Sequence, residues 1–179
     1  MKEANGHRFY SACLMSSAVL LFAITTTGVA EESEEEKISG TAVVIDADIL
    51  RIGDQRVILW GIDAPEPPQT CIRDDKVWSC HDAAQRLLET IVGRAEVTCI
   101  LHGKADPLNR RYGVCMSGGD DVNEIMVRNG MALAYSEQTD TYEAAQLDAI
   151  TEGAGLWANG THFLEPWLWR QENNPGSLR

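Results

Sequence analysis

The chain has 179 residues, of which 27 are acidic and 15 are basic, and its formal net charge at neutral pH is −12. That length accommodates one domain, or a leader followed by one domain. The negative charge repels polyanions, which argues against tight, processive binding of nucleic acid and confines any phosphate site to a local positive patch.

The first thirty residues have the pattern of a secretory signal peptide. A weakly basic start with Lys2 and Arg8 precedes a mostly apolar stretch over 12–24, and small residues follow it. The apolar stretch is too short, and too diluted by Ser and Thr, for a permanent transmembrane helix. We predict residues 1–30 as a signal peptide whose cleavage would leave a net charge of −13, because two basic residues and one acidic residue are lost. This predicts a periplasmic or secreted protein with no stable membrane association.

Residues 31–37 are a run of charges that predicts an acidic, flexible lead-in. Segments rich in small and β-branched residues follow, separated by turn residues, and predict a β-meander of three strands: 38–45, 49–52 and 56–62. Three prolines between positions 65 and 68 end the meander and force a loop.

Apolar residues at helical spacing between Ala83 and Ile91 predict a first helix that stops at Gly93. Further elements are predicted in the order strand, strand, helix, helix: 96–101, 111–116, Asp120 or Asp121 to Gly130, and about Thr141 to Gly153. The polar residues 171–179 predict a loose tail. Five short strands with three helices predict an α+β, β-rich fold, namely a five-stranded OB-type barrel with three packed helices.

Four cysteines follow the predicted leader, and an even number in an exported chain favours disulfides. Their gaps of eight, eighteen and fifteen residues lack the close pairs of zinc sites. Cys71 and Cys80 bracket the loop after the prolines, and Cys99 and Cys115 lie on consecutive predicted strands. Cross-strand cysteines can come within bonding distance, so we predict the disulfides Cys71–Cys80 and Cys99–Cys115.

Acidic residues occur at the first turn of the meander and again at its end. Asp46, Ala47 and Asp48 form the turn, and Asp63-Ala64-Pro65-Glu66 closes the third strand. Because the hairpin folds back, the two groups of carboxylates can meet at one rim of the barrel. Oxygen ligands of this kind favour calcium or magnesium. Acidic turn residues also commonly cap turns and face water, and the Asp-Ala-Pro-Glu sequence is the more specific signal.

These motifs resemble the staphylococcal nuclease family, in which a strand ends in Asp-Gly-Asp-Thr and a later one in Gly-Ile-Asp-Ala-Pro-Glu. The resemblance covers about residues 38–170, which we predict as one domain of this type. It includes the following segments: Asp120-Asp121-Val122-Asn123, Met126 to Gly130, Gly155-Leu156-Trp157 and Pro166-Trp167-x-Trp169-Arg170.

The resemblance implies a calcium-dependent hydrolase that cleaves the phosphodiester bonds of nucleic acid. It assigns the metal carboxylates to Asp48 and Asp63, and the general base to Glu66. It assigns one of two phosphate-binding arginines to Arg110 and a base-stacking tyrosine to Tyr135. Since Arg110 is followed by another arginine in a loop of altered sequence, a simple surface cation is the alternative for it. The alternative for Glu66 is a solvated loop carboxylate, and a core or barrel-edge aromatic is favoured for Tyr135.

The chain departs from the family pattern in the half of the site that binds phosphate. The second arginine of the family falls on Ile58, and Arg56 lies on the same strand face about 6.6 Å away, so that it would have to stretch. The residue two after Tyr135, aromatic in the type protein of the family, is Glu137. Loss of one preorganised charge donor costs about 10²–10³ in rate, so the expected enzyme is weakened. The calcium site is also expected to be weak, because only two or three protein carboxylates are available to it.

Two other functions stay open beside a weakened nuclease. The chain can be a non-catalytic interaction module, or an accessory protein of envelope or exopolysaccharide biosynthesis. Its length and layout are similar to those of exported nuclease-like proteins associated with succinoglycan biosynthesis. The expected partner is nucleic acid as a weakly bound substrate, and the expected state is a monomer.

Overall fold

The computed structural model describes residues 35–173, so the predicted signal peptide lies outside the described residues. The strands follow in chain order: β1 (Lys37–Asp46), β2 (Ile49–Ile52), β3 (Gln55–Leu59), β4 (Ile62–Asp63), β5 (Cys71–Arg73), β6 (Lys76–Trp78), β7 (Glu96–His102), β8 (Arg110–Ser117), β9 (Asp120–Asp121), β10 (Leu133–Ala134) and β11 (Thr161–His162). The α-helices are α1 (Cys80–Val92), α2 (Val122–Arg128), α3 (Glu143–Glu152) and α4 (Pro166–Asn173), and a 3₁₀ turn (Gly155–Trp157) precedes α4.

Five strands close into a mixed barrel. They pair in the order β3–β2–β1–β7–β8, and a parallel pairing between β3 and β8 joins the two edges. The remaining neighbours in this order are antiparallel. Closure removes the free sheet edges that otherwise invite pairing with another chain. The predicted fold class, an α+β protein built on a five-stranded OB-type barrel, is confirmed.

The interior of the barrel is filled by apolar side chains from its strands. Leu50, Val57 and Val97 are fully buried in this core, and Leu88 of α1 and Met126 of α2 pack on it. Burial of each such side chain contributes about 1.5–3 kcal/mol. The core therefore fixes both helices against the barrel and sets the frame on which the rim residues are held.

A buried polar side chain ties helix α2 to the barrel. Asn123 is 0 % exposed. Its amide nitrogen donates to the carbonyls of Trp60 (2.8 Å) and Gly113 (3.3 Å), and its oxygen accepts from the backbone of Cys115 (3.2 Å). The helix begins where predicted, because the carboxylate of Asp121 accepts from the backbone N–H of Glu124 and caps its N-terminus.

The third predicted strand, 56–62, is divided by a glycine. Strand β3 ends at Leu59, and Gly61 has a φ of +76°. A Cβ atom at this position would lie 2.4 Å from Cγ2 of Thr139, so only glycine fits the turn. The chain then continues as β4, which pairs with β10 instead of extending the barrel. The prediction that Asp63 ends the third strand is thus wrong, since Asp63 lies on a separate short strand.

The structure also has a fourth helix where three were predicted. Pro166 occupies its first turn, where a missing N–H and a fixed φ are favourable. At eight residues it is too short to show a clear apolar period. It extends to Asn173, three residues into the segment predicted as a tail from Gln171 onward. Residues 174–179 lie outside the described part of the chain.

The start of the described chain is tied to the barrel as well. Lys37, the last residue of the predicted flexible lead-in, begins β1, and the carboxylate of Glu36 lies 2.6 Å from the guanidinium of Arg111. The backbone carbonyl of Glu36 accepts from Leu101. Residues 31–34 of the lead-in are outside the described residues.

Candidate active site

The acidic turn after β1 points its second carboxylate toward the β4 segment. The backbone N–H of Ala47 donates to Asp46 Oδ1 at 2.7 Å, which closes the turn locally. Asp48 is 1 % exposed, and its Oδ2 accepts from the backbone N–H of Ala64 at 3.3 Å. The structure therefore brings the turn and the Asp-Ala-Pro-Glu motif together, as the hairpin geometry predicts.

Asp63 and Glu66 share a guanidinium that comes from helix α4. Nη1 of Arg170 donates to Asp63 Oδ1 at 2.9 Å, and Nη2 donates to Oδ2 at 2.7 Å. The same Nη1 also donates to Glu66 Oε1. Asp63 is 1 % exposed and Arg170 is 9 % exposed. A bidentate salt bridge between a planar guanidinium and a carboxylate, with two parallel hydrogen bonds, fixes the orientation of both groups.

The loop that carries Glu66 is held by a buried glutamine. Oε1 of Gln69 accepts from the backbone N–H of Glu66 at 3.0 Å, and its amide nitrogen donates to the carbonyl of Leu164 at 2.6 Å. Gln69 is 1 % exposed. One side chain thus connects the loop after the prolines to the segment that leads into α4, so the position of Glu66 depends on both.

A histidine joins the acidic turn to the start of helix α1. Nε2 of His81 lies 2.9 Å from Asp46 Oδ1, and Nδ1 lies 3.1 Å from Asp82 Oδ1. The Asp82 pKa is lowered. The largest cause is its hydrogen bond with Ser79, and the hydrogen bond with His81 also contributes. Sequence reasoning missed this contact because His81 is 35 residues from Asp46 and has no partner at a recognisable spacing.

Arg110 lies at the start of β8 and is held by a neighbouring carboxylate. Its Nε donates to Asp106 Oδ2 at 2.7 Å, and its backbone N–H donates to Oδ1 at 2.8 Å. The backbone bond is the largest cause of a lowered Asp106 pKa. Arg56, on β3, is exposed and is paired in register with Arg110. The two arginines are therefore neighbours where the parallel pairing of β3 and β8 closes the barrel.

The position of the missing family arginine is filled by a buried side chain. Ile58 is 3 % exposed and lies in register between Ile49 of β2 and Tyr112 of β8. It therefore covers part of the barrel wall. An isoleucine here provides packing and no charge for a phosphate.

Tyr135 contacts an acid and a tryptophan. Its hydroxyl donates to Glu137 Oε2 at 2.9 Å, and its ring centroid is 5.7 Å from that of Trp167 on α4. The hydrogen bond to Glu137 is the largest cause of a raised Tyr135 pKa, and burial adds to it. Both aromatic residues line a pocket of about 240 Å³, together with Ser136, Glu137 and Gln171.

Helix α4 carries the site residues that sequence reasoning missed. Arg170 and Trp167 lie within the Pro-Trp-x-Trp-Arg segment, which matched the family pattern but for which no role in binding or catalysis was predicted. The sequence signal for these residues is an arginine that lies close to two tryptophans just before the predicted tail. Their contact partners could not be found in this way, since Arg170 is 107 residues from Asp63.

The donor chemistry of Asp48 and Asp63 suits a hard cation, because both offer carboxylate oxygens. Within residues 35–173, however, no group of three or more His, Cys, Asp or Glu is arranged to hold a metal ion. In the described arrangement both oxygens of Asp63 accept hydrogen bonds from Arg170. Calcium at this site therefore stays a prediction.

Both predicted disulfides are present. Cys71 and Cys80 join the start of β5 to the start of α1, and Cys99 and Cys115 are paired in register on β7 and β8. The first disulfide is buried in a small apolar cluster beside the barrel. Two disulfides indicate an oxidising environment, extracellular or periplasmic. Among the described helices, none is long and apolar enough to cross a membrane.

The closed five-stranded barrel and the acidic residues at one rim together characterise a nuclease-like fold. The family model for staphylococcal nuclease homologues matches residues 56–159, and the chain belongs to that family. Family members are generally calcium-dependent.

The chain is also similar to a particular protein, the succinoglycan biosynthesis protein ExoI of Rhizobium meliloti (strain 1021). The two are 31 % identical over 153 residues, which is 84 % of this chain and 79 % of that protein. The predicted resemblance to proteins of succinoglycan biosynthesis is thereby confirmed.

Proposed function

We propose that the protein hydrolyses phosphodiester bonds of nucleic acid at the rim formed by Asp48, Asp63 and Glu66, and that it does so slowly. The observation that carries this proposal is the convergence of the two acidic segments, with Glu66 held in place by Arg170 and Gln69. A carboxylate that is held in a fixed position can orient a water molecule and accept its proton. The amide of a glutamine at this position could not take that proton.

The remaining residues would bind different parts of the substrate. Asp48 and Asp63 would hold calcium, which, when bound, screens phosphate charge and orients the phosphate group. Arg110 and its neighbour Arg56 offer guanidinium donors for the phosphate oxygens. Tyr135 provides a ring face for a base, at about 1–3 kcal/mol for each stacked base. The burial of Ile58, where a second donor would stand, accounts for a slow rate.

We propose that this reaction takes place outside the cytoplasm, in the periplasm or after secretion, with the protein as a monomer that does not stay attached to the membrane. The net charge of −12, or −13 without the predicted signal peptide, supports weak binding of a polyanionic substrate. Weak binding suits an enzyme that cleaves and releases, and it disfavours a role as a permanent nucleic-acid-binding protein.

The test compares the wild type with Glu66→Gln, which keeps the size of the side chain but cannot accept the proton. Hydrolysis of single-stranded DNA, double-stranded DNA and RNA is measured with calcium and with a chelator. We expect calcium-dependent cleavage that falls by at least about 10²-fold in Glu66→Gln, as loss of a general base predicts. Glu152→Gln, at the exposed end of α3, is the matched control and should leave the rate unchanged. Equal rates for wild type and Glu66→Gln would reject the proposal.

A second candidate function is an accessory role in exopolysaccharide biosynthesis. It is favoured by the similarity to a succinoglycan biosynthesis protein over most of both chains. A strain lacking the protein would be complemented with the wild type or with Glu66→Gln, and its exopolysaccharide would be measured. Full restoration by Glu66→Gln would favour a non-catalytic interaction module, whereas failure to restore would tie the phenotype to the carboxylate.

A further inference from the structure

The guanidinium of Arg170 lies inside the acidic rim formed by Asp48, Asp63 and Glu66. It makes a two-point bond to Asp63 and a third bond to Glu66, and it is 9 % exposed. Asp63 is 1 % exposed. A carboxylate at that depth requires a positive charge or several hydrogen-bond donors, because isolated buried charge is costly. Arg170 supplies both.

The same carboxylate is the one that the family resemblance assigns to a divalent cation. A guanidinium and a calcium ion are attracted to the same carboxylate, that of Asp63, and they repel each other. Asp48 points its Oδ2 at the backbone of Ala64, beside Asp63, so a cation bound between the two acids would lie next to the guanidinium. The two positive groups therefore cannot both occupy Asp63 without a large electrostatic cost.

We infer that Arg170 is the built-in counter-cation of this site. It positions Asp63 and Glu66 in the described state, and it competes with a divalent cation for Asp63. Arg170 is thus a positioning residue, and the weak cation affinity predicted for the site follows from this competition. The inference rests on the proposed function in one respect, namely that Asp63 is a cation ligand.

Competition at Asp63 extends to the rest of helix α4. Trp167, on the same helix, packs against Tyr135, and Gln69 joins the Glu66 loop to the carbonyl of Leu164, just before the helix. A cation that displaces Arg170 from Asp63 removes two of the guanidinium's three bonds at the rim and leaves the bond to Glu66. Cation binding therefore loosens the helix and changes the pocket beside Tyr135, so the two halves of the site are coupled.

The experiment measures calcium affinity of the full chain by calorimetry. We expect Arg170→Gln to bind calcium at least about tenfold more tightly than the wild type, because a positive charge has left the site. Arg170→Lys, which keeps the charge, should stay close to the wild type. The matched control is Arg128→Gln, since Arg128 also bridges two carboxylates, Glu124 and Asp148, and its loss changes the net charge equally. It should change the affinity less than about twofold.

A folded Arg170→Gln protein with unchanged or weaker calcium affinity would overturn the inference, and so would absence of binding in both proteins. Folding is checked by circular dichroism. If Arg170→Gln does not fold, hydrogen exchange of the wild type decides: calcium should accelerate exchange of the α4 amides, and unchanged or slower exchange would refute the competition. These readouts do not depend on hydrolysis. An inactive wild type with the expected affinity shift would therefore reject the proposed reaction alone.

Discussion

Replacing Ile58 by arginine would return a guanidinium to the position at which the family has its second phosphate-binding arginine. Ile58 is 3 % exposed, but its register neighbours Ile49 and Tyr112 are half-buried. Arg56, two residues earlier on the same strand face, is exposed. An arginine at position 58 can therefore pass its apolar stem beneath these neighbours and bring its charged end toward water.

The substitution should cost stability in two ways. Removing the buried isoleucine forfeits about 1.5–3 kcal/mol of apolar burial, of which the arginine stem recovers part. A guanidinium with incompletely satisfied hydrogen bonds adds about 1–3 kcal/mol. We expect the free energy of unfolding to fall by about 2–4 kcal/mol and the melting temperature by roughly 6–15 °C for a domain of this size.

Thermal unfolding and calcium-dependent DNA hydrolysis are measured on the same preparations. Ile58→Met is the matched control, because it offers a long side chain without charge and should cost less than about 1.5 kcal/mol. We expect Ile58→Arg to hydrolyse DNA at least about tenfold faster than the wild type, with an upper bound of about 10³ set by a single charge donor. Ile58→Met should give no gain.

Two results would refute this reasoning at different points. An Ile58→Arg protein that is folded but no faster than Ile58→Met would reject the account of a damaged phosphate site, and would favour the non-catalytic module. An Ile58→Arg protein as stable as Ile58→Met would show that the guanidinium reaches water at no cost, so the burial estimate would be wrong.

Two further predictions concern side chains that hold the site in place. Asn123→Ala should lower the free energy of unfolding by about 2–4 kcal/mol, because it leaves buried backbone groups unsatisfied. Asn129→Ala, which removes one exposed bond at the C-cap of the same helix, should cost less than about 1 kcal/mol in the same urea titration. Glu137→Gln should lower the Tyr135 pKa toward its ordinary value, since the carboxylate is the main cause of the raised pKa. The folded-state pKa of Tyr135 lies above the unfolded value of about 10, so the stability that this shift contributes is fully present below about pH 10 and is lost as the pH rises through the folded-state pKa. In Glu137→Gln this loss should become smaller, and a carbon-13 titration of the tyrosine ring that shows no change would contradict the assignment.

The acidic rim could be predicted because its geometry is local. A hairpin joins the Asp48 turn to the Asp63 segment, and strand pairing alone brings them together. The predicted strand nevertheless ran too far, because the interruption at Gly61 depends on how closely Thr139 approaches its backbone. That approach is a tertiary contact, which the alternation of apolar and polar residues in a strand does not encode.

The contribution of helix α4 could not be predicted for the same physical reason. Its eight residues are too few to establish a helical period in the sequence, and its partners lie 107 and 104 residues earlier in the chain. Ile58 presents the opposite case. The sequence identifies it as a missing charge, and the structure identifies it as a buried part of the barrel wall.

Helix α4 follows every strand of the barrel in the chain, so the rim receives its guanidinium last during synthesis. Until residue 170 emerges, Asp63 and Glu66 lack the cation that orients them, and like charges held close together raise the energy of that arrangement. If the protein is exported as proposed, the ordered general base forms only after the C-terminal segment has crossed the membrane. A phosphodiesterase built in this order would mature away from the nucleic acid of the cell that makes it.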